Sequence, residues 1–277
     1  PFEDGYCAMV TLLADFDKKS GGEVYDSFEN AKEANSTSYE MDSVKGEYIF
    51  LLDRSGSMSG GRMNMSRLSL VLALKSLPHD CYFNVVSFGS QYEVLHKESV
   101  LYSENSVKES IEKIEIMEAN MGGTEMYEPL RMIFNWPLKK GYPRFIFLLT
   151  DGDISNTQQV LSLIKENSLQ AQVFTLGIGN GCSPELVKKA ASYGRGQHEF
   201  IENADGIHEK VLNLLDASLS PCFTNLKLQG DNFDGVVTSV SPNPVNVLFL
   251  LGGQSVTFFI MLRKAAFQGE DGGKWNL

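Results

Sequence analysis

The stretch Tyr48-Ile-Phe-Leu-Leu-Asp53-Arg-Ser55-Gly-Ser57-Met58 decides how the rest of this 277-residue chain is read. Its apolar run is too short to span a membrane and predicts a strand buried on both faces. Asp53 follows at once, so a carboxylate stands at the strand's carboxyl end. Ser55 and Ser57 alternate with Arg54 and Gly56, and a tight glycine-containing turn there aims one carboxylate and two hydroxyls at a single point. Oxygen-only donors suit a hard divalent cation such as Mg2+ or Mn2+. Alone, the same string also reads as a capped turn before a helix, because Asp and Ser are favoured in such turns.

Outward from this strand, Met63 to Leu77 is apolar on almost every side, as a helix packed between other elements would be, and Pro78 stops it. Cys81 to Phe88 is the next strand, and Glu93 to His96 a short edge strand reached through Gly89-Ser90. Val107, Ile111 and Ile114 stand at helical spacing and predict a surface helix. The loop Met121-Gly122-Gly123-Thr124 leads into a helix with Pro129 in its first turn, running to about Asn135. Phe145 to Leu149 repeats the opening pattern and ends in Thr150-Asp151-Gly152-Asp153. A helix over Val160 to Asn167 and a strand over Gln172 to Ile178 come next. Ser183 caps a helix that Pro184 opens and Gly194 closes, Gly196 to Ile201 is a last strand, and Asp205 caps a helix carrying Ile207, Val211, Leu214 and Leu215. This alternation over residues 46–218 predicts an α/β fold, a doubly wound and mostly parallel sheet with helices on both faces. Ligands bind such sheets at the carboxyl ends of the strands, where Asp53 and Asp151 both fall.

The flanks have another character. Tyr6 to Phe16 is strand-like, and residues 17–45 read as a polar linker. Beyond Pro221, Phe223 to Leu228, Val236 to Val240, Val245 to Leu250 and Ser255 to Leu262 predict a small all-β appendage over residues 219–268. The Tyr6 to Phe16 strand completes it if the two ends of the α/β domain lie close together. Residues 269–277 read as an unstructured tail.

Lys and Arg number 24 against 35 Asp and Glu, a net charge of −11, and no basic run exceeds two residues. Nucleic acid and anionic membrane surfaces are therefore poor partners. Cys7, Cys81, Cys182 and Cys222 include no C-x-x-C pair, so buried free thiols and a cytoplasmic location are the expectation rather than a zinc ribbon or disulfides. The chain opens Pro1-Phe2-Glu3 without a methionine, which leaves an upstream secretion signal open. The four histidines lack H-x3-H spacing, which disfavours zinc. Met58 and Met63 read as packing, Arg54 as bordering the Asp53 turn, Glu125 as the start of the next helix and Asp153 as solvated. A Mg2+-dependent hydrolase or phosphoryl-transfer enzyme is the competing class. No His or Lys falls beside Asp53, Thr124 or Asp151 in sequence to act as a general base, and no Gly-rich loop ending in Gly-Lys-Ser/Thr is present. A scaffold with a purely structural metal is a third alternative.

Asp53-x-Ser55-x-Ser57, Thr124 behind Gly122-Gly123 and Asp151 behind the FIFLLT strand together resemble the metal ion-dependent adhesion site of the von Willebrand factor type A domain, over about residues 46–218. The strings LLDRSGSM, KSLPHDCYFNVVSFGS, MGGTEMYEPL, TDGDISNT and TLGIGNGCSPELVKKAASYGRGQHEFIE resemble the intracellular branch in which a vault-protein-inter-alpha-trypsin (VIT) domain precedes the type A domain. Vault poly(ADP-ribose) polymerase and the inter-alpha-trypsin inhibitor heavy chains share that architecture, and Tyr6 to Phe16 would then be the last strand of a VIT domain. The resemblance implies that Ser55 and Ser57 ligate the metal directly, Thr124 directly or through water, and Asp53 and Asp151 largely through bound waters. It also implies a non-enzymatic module for protein binding. Neutral hydroxyls against the cation, with carboxylates one water away, leave the ion electron-poor, so an Asp or Glu of a partner protein completes its coordination.

Overall fold

The computed structural model describes residues 5–13, 45–152, 154–219, 222–224, 237–243, 249–251 and 255–263. In chain order the elements are β1 (Gly5–Leu13), β2 (Glu47–Asp53), α1 (Gly61–Ser76), β3 (Tyr82–Phe88), β4 (Tyr92–Val94), β5 (Val100–Leu101), α2 (Glu104–Glu115), α3 (Tyr127–Asn135), β6 (Arg144–Thr150), α4 (Thr157–Glu166), β7 (Ala171–Ile178), α5 (Pro184–Tyr193), β8 (Arg195–Ile201), α6 (Ile207–Ser218), β9 (Cys222–Thr224), β10 (Val237–Ser241), β11 (Phe249–Leu251) and β12 (Ser255–Arg263). The chain divides into two compact units, residues 44–220 and the two flanking segments together.

In the larger unit the sheet order is β4-β3-β2-β6-β7-β8, with β5 also on the outer edge of β3. Neighbours from β3 to β8 run parallel, and only β4 and β5 are antiparallel, as expected for a doubly wound sheet. Every residue of β2, β6 and β7 is buried, which is why these strands read as unbroken apolar runs. The two-residue side-chain period divides β2 between two cores. Tyr48, Phe50 and Leu52 pack with α1, α2 and α6 on one face, while Ile49 and Leu51 pack with α3, α4 and α5 on the other. Phe147 and Phe174 stack at 4.9 Å between centroids in the first core. After β2 the chain crosses to β3 on one side, and the later strands β6, β7 and β8 add on the other. The order therefore reverses between β2 and β6, and a crevice opens at such a switch point beyond the carboxyl ends of the two strands.

Several local expectations need correction. α1 is not apolar all round: Leu68 is exposed, and two of its buried positions are Ser66 and Ser69. Their hydroxyls donate to the carbonyls of Arg62 and Met65, at 2.9 and 2.7 Å, so small polar residues pack against the core without unmet hydrogen bonds. Asp205 does not cap α6, because the N-cap position falls one residue later, on Gly206 in the left-handed region. Ser183 stands at the start of α5 without a side-chain cap bond. Glu125 lies ahead of α3 rather than in it, and the two-residue strand β5 had no sequence signal long enough to read.

The smaller unit holds a sheet in the order β1-β12-β10, with β1 antiparallel to β12 along nine residues, and the pair β11-β9. Residues 17–44, Asp153 and the tail 269–277 lie outside the described residues, so the expectations of a linker, a solvated Asp153 and an unstructured end fall there. Cys81 is a buried free thiol, pushed up to about 12 by burial. Cys182 is half-buried, and Cys7 is exposed rather than buried as the sequence suggested.

His79, His198 and His208 are exposed, whereas His96 is half-buried with Nε2 2.8 Å from Ser110 Oγ. Burial, reinforced by nearby Lys113, holds the His96 pKa below the ordinary histidine value. As pH falls through about 6.5 the unfolded chain takes up this proton before the folded one does. The stabilisation is therefore complete above that pH and lost below it. The melting temperature should fall more steeply between about pH 7 and about pH 5.5 in the native chain than in His96→Gln. Identical profiles would remove His96 from the acid response.

Candidate metal centre

Asp53 ends β2 and Asp151 follows β6, so both stand at the switch point. Asp53 is fully buried, and its two oxygens are fixed from different directions. Oδ1 accepts the Ser55 amide at 2.9 Å, and Oδ2 accepts the Thr150 hydroxyl at 2.7 Å across the β2-β6 pair. The Thr150 hydroxyl in turn accepts the Gly152 amide at 2.9 Å, which turns the chain after β6 toward Asp53. Ser55 Oγ and Ser57 Oγ lie 2.9 Å apart, Ser55 buried and Ser57 exposed, so the hydroxyl pair runs from the interior to the surface.

The second loop is tied onto the first. The Gly56 amide donates to the Gly122 carbonyl at 2.8 Å and the Met121 amide to the Arg54 carbonyl at 3.0 Å. Arg54 clamps the same loop with its side chain. Nε donates to the Glu118 carbonyl, Nη2 to Asn120 Oδ1 and Nη1 to Glu93, at 2.9, 2.7 and 3.2 Å. It borders the site, as its sequence position suggested. Thr124 comes two residues after Gly122, half-buried, and its hydroxyl has no hydrogen bond among the described residues. Asp151 is 3% exposed in its side chain; its carbonyl accepts the Ser183 amide at 2.8 Å, which brings the β7-α5 loop against the third loop. The three loops carrying Asp53, Ser55, Ser57, Thr124 and Asp151 are thus fastened to one another. Met58 and Met63 are buried beneath them as packing.

Two residues of this centre escaped the sequence. Thr150 looked like an ordinary strand residue. Arg62, on the first turn of α1, donates to Asp151 Oδ2 at 3.0 Å and to the Ser57 carbonyl at 2.9 Å. Among the described residues no basic side chain pairs with Asp53. Burial pushes its carboxyl above the usual carboxylate range, hydrogen bonds from Ser55 and Thr150 oppose that, and neighbouring Asp151 adds to it. A buried carboxylate without a countercharge costs several kcal/mol unless something neutralises it, and a divalent cation would do so. The donor set fits a hard cation. It holds two carboxylates and three hydroxyls, and no group of three His, Cys, Asp or Glu side chains gathers as a metal cluster among the described residues. Cys182 lies close enough to feel the Asp151 charge, and burial first of all raises its thiol pKa, so it is a poor thiolate ligand.

The sequence pattern of the von Willebrand factor type A domain matches residues 46–200, which include all five of these residues. Von Willebrand factor A domain-containing protein 5A of Rattus norvegicus is 35% identical over 240 residues, covering 83% of this chain and 29% of that protein. Protein 5B1 of Mus musculus is 33% identical over 204 residues, covering 74% of this chain and 17% of that protein. The chain thus spans less than a third of the length of these relatives. Among solved structures, a von Willebrand factor type A protein from Catenulispora acidiphila superposes with a TM-score of 0.58 at 18% identity, covering 79% of this chain and 58% of that one. Proximal thread matrix protein 1 of the mussel byssus, in a form with a zinc-occupied metal ion-dependent adhesion motif, gives 0.52 at 16% identity, covering 66% of this chain and 50% of that one. At these identities the structures speak for the fold. Domains of this kind are generally non-enzymatic, metal-dependent protein-interaction modules. With the family pattern matching more than half of its length and a relative 35% identical over 83% of it, the chain belongs to the von Willebrand factor type A domain family.

Proposed function

We propose that this chain is a divalent-cation-dependent protein-binding module. Ser55, Ser57 and Thr124 would hold Mg2+ or Mn2+ through their hydroxyls, with Asp53 and Asp151 acting largely through bound waters, and an Asp or Glu of a partner protein would complete the coordination. The observation that carries this reading is Asp53, fully buried, locked by Ser55 and Thr150, and paired with no cationic side chain among the described residues. When bound, the ion supplies a Lewis-acidic attachment point for a carboxylate. The chain's own residues hold the donors in place and keep the rest of the carboxylate charge away from water. With a net charge of −11, the chain favours a partner that is neutral or basic around that single acid.

Binding is favoured over turnover because no His or Lys stands beside Asp53, Thr124 or Asp151 in sequence, and the Arg62 guanidinium paired with Asp151 cannot act as a general base near neutral pH. Among the described residues no helix is long and apolar enough to cross a membrane. The free thiols Cys7, Cys81 and Cys182 support a reducing, cytoplasmic setting. The nine-residue pairing of β1 with β12 supports a β unit built from both flanks, over a reading of β1 as the end of a VIT-like domain.

Calorimetric titration with Mg2+ or Mn2+ should show binding to the native chain and none to the Asp53→Ala, Ser55→Ala double variant. Capture of partners from lysate should be lost in EDTA. Equal metal binding by the two chains would put the cation elsewhere, and capture indifferent to EDTA would leave the metal a structural role.

A further inference from the structure

The metal-binding reading has no use for Arg62, although it bonds a candidate ligand directly. Its guanidinium spans three segments: Nη1 bonds the Ser57 carbonyl and Asp151 Oδ2, and Nη2 donates to the Asn180 carbonyl at 3.2 Å. The β7-α5 loop is shaped around it. Gly179 has a φ of +87°, and a Cβ at that position would stand 2.6 Å from Arg62 Nε and 2.9 Å from its Cγ, so the arginine lies across bare backbone. The Arg62 side chain is 32% exposed while that of Asp151 is buried, so the pair sits at the mouth of the centre with its cation outward.

We propose that Arg62 is a built-in counter-cation that competes with the divalent ion for Asp151, holding the three segments together when no metal is bound and lowering the affinity for metal. This rests on the reading of the five residues as a metal site. Asp53 and Asp151 bring two negative charges and Arg62 one positive charge. A divalent ion therefore takes the native centre from net −1 to net +1, whereas without Arg62 it takes it from −2 to neutrality. The arginine raises the free energy of the loaded state through repulsion and lowers that of the metal-free state through its bonds to Asp151, Ser57 and Asn180. Both effects weaken cation binding. The same charge leaves the loaded centre net positive, as capture of a carboxylate requires.

Arg62→Gln in the full chain should bind Mn2+ about tenfold more tightly by calorimetry, the order expected for removing one unit charge from a half-exposed site. Its metal-free melting temperature should be lower than that of the native chain, so that Mn2+ raises it by more. Arg62→Lys keeps the charge but loses the planar fork, and should match native Mn2+ affinity within about twofold while melting lower when metal-free. Native binding with an unchanged or weaker affinity in Arg62→Gln overturns the proposal and leaves the metal site standing, as does a Lys variant that binds as tightly as the Gln variant. A native chain that binds no Mn2+ overturns both. If Arg62→Gln does not fold, Gly179→Ala, which pushes the guanidinium off Asp151, should also tighten Mn2+ binding, and an unchanged affinity there overturns the role of Arg62.

Discussion

Arg144→Met should destabilise residues 44–220 by about 3–5 kcal/mol in urea unfolding, the range for breaking a buried ion pair from one side. Among the described residues Arg144 is one of the largest fully buried side chains, and it stands at the first position of β6, at the end of the sheet opposite the candidate metal centre. Nε donates to Glu47 Oε2 at 2.7 Å, Nη1 to the carbonyls of Ile133 and Trp136 at 2.7 and 3.1 Å, and Nη2 to that of Pro137 at 3.0 Å. One guanidinium thus ties the starts of β2 and β6 to the carboxyl end of α3, where a cation also meets the negative end of the helix dipole. Methionine fills much of the volume but leaves the buried Glu47 without its partner, together with the buried carbonyl of Ile133. The cost is chiefly electrostatic. The double variant Glu47→Met, Arg144→Met should therefore recover part of the loss, which a simple cavity would not allow. A single-variant cost below about 1 kcal/mol would mean that water enters and solvates the carboxylate.

Gly89→Ala should damage both stability and cation binding, although residue 89 is not among the five candidate ligands. A Cβ there would collide with the Cβ and the carbonyl oxygen of Met121 and lie 2.7 Å from its carbonyl carbon. Backbone cannot swing aside as a flexible side chain can. Around this contact the Ser90 amide donates to the Met121 carbonyl at 2.6 Å, the Glu125 amide to the Gly89 carbonyl at 2.8 Å and the Gly123 amide to Ser90 Oγ at 2.8 Å. The loop that carries Thr124 is thus zipped to the end of β3. Moving it by the width of a methyl group should cost about 1–3 kcal/mol of stability, as overpacking does, and at least about tenfold in Mn2+ affinity. Gly61→Ala is the control, because a Cβ there meets nothing within 4 Å and alanine suits a helix better than glycine does. Equal Mn2+ affinities in the two variants would separate Thr124 from the metal.

The sequence announced the centre only in part. Asp53, Ser55 and Ser57 alone read equally as a capped turn, and they stood out as candidates only together with Thr124 and Asp151 on matching loops. Asp151 was legible because the strand before it repeats the same pattern. Thr150 was not, since threonine is common in strands and its value lies in facing Asp53 across 97 residues. Nor was Arg62, whose reach over Gly179 depends on a loop more than a hundred residues away. The same division holds for the fold. Strand runs and helix faces are local patterns, so their existence and approximate bounds could be read. The order β4-β3-β2-β6-β7-β8 could not, because parallel pairing is decided by long-range packing. Asp205 looked like a cap until the helix proved to begin one residue later, behind Gly206. Which of two neighbouring residues takes the cap is decided by backbone geometry that residue types do not reveal.

The Thr150 to Asp53 bond also bears on the order of events in folding. It joins β2 to β6 only after α1, β3, β4, β5, α2 and α3 have been threaded between them. Pairing across so long a loop is slow and comes after the local helices. A cation at this centre therefore cannot assist the early steps. It would act as a latch on the completed β2-β6 pair, and its effect would fall mainly on the rate of unfolding rather than the rate of folding. Loss of metal would then first be felt as a shorter lifetime of the native state, as the β2-β6 pair in the middle of the sheet loses its latch.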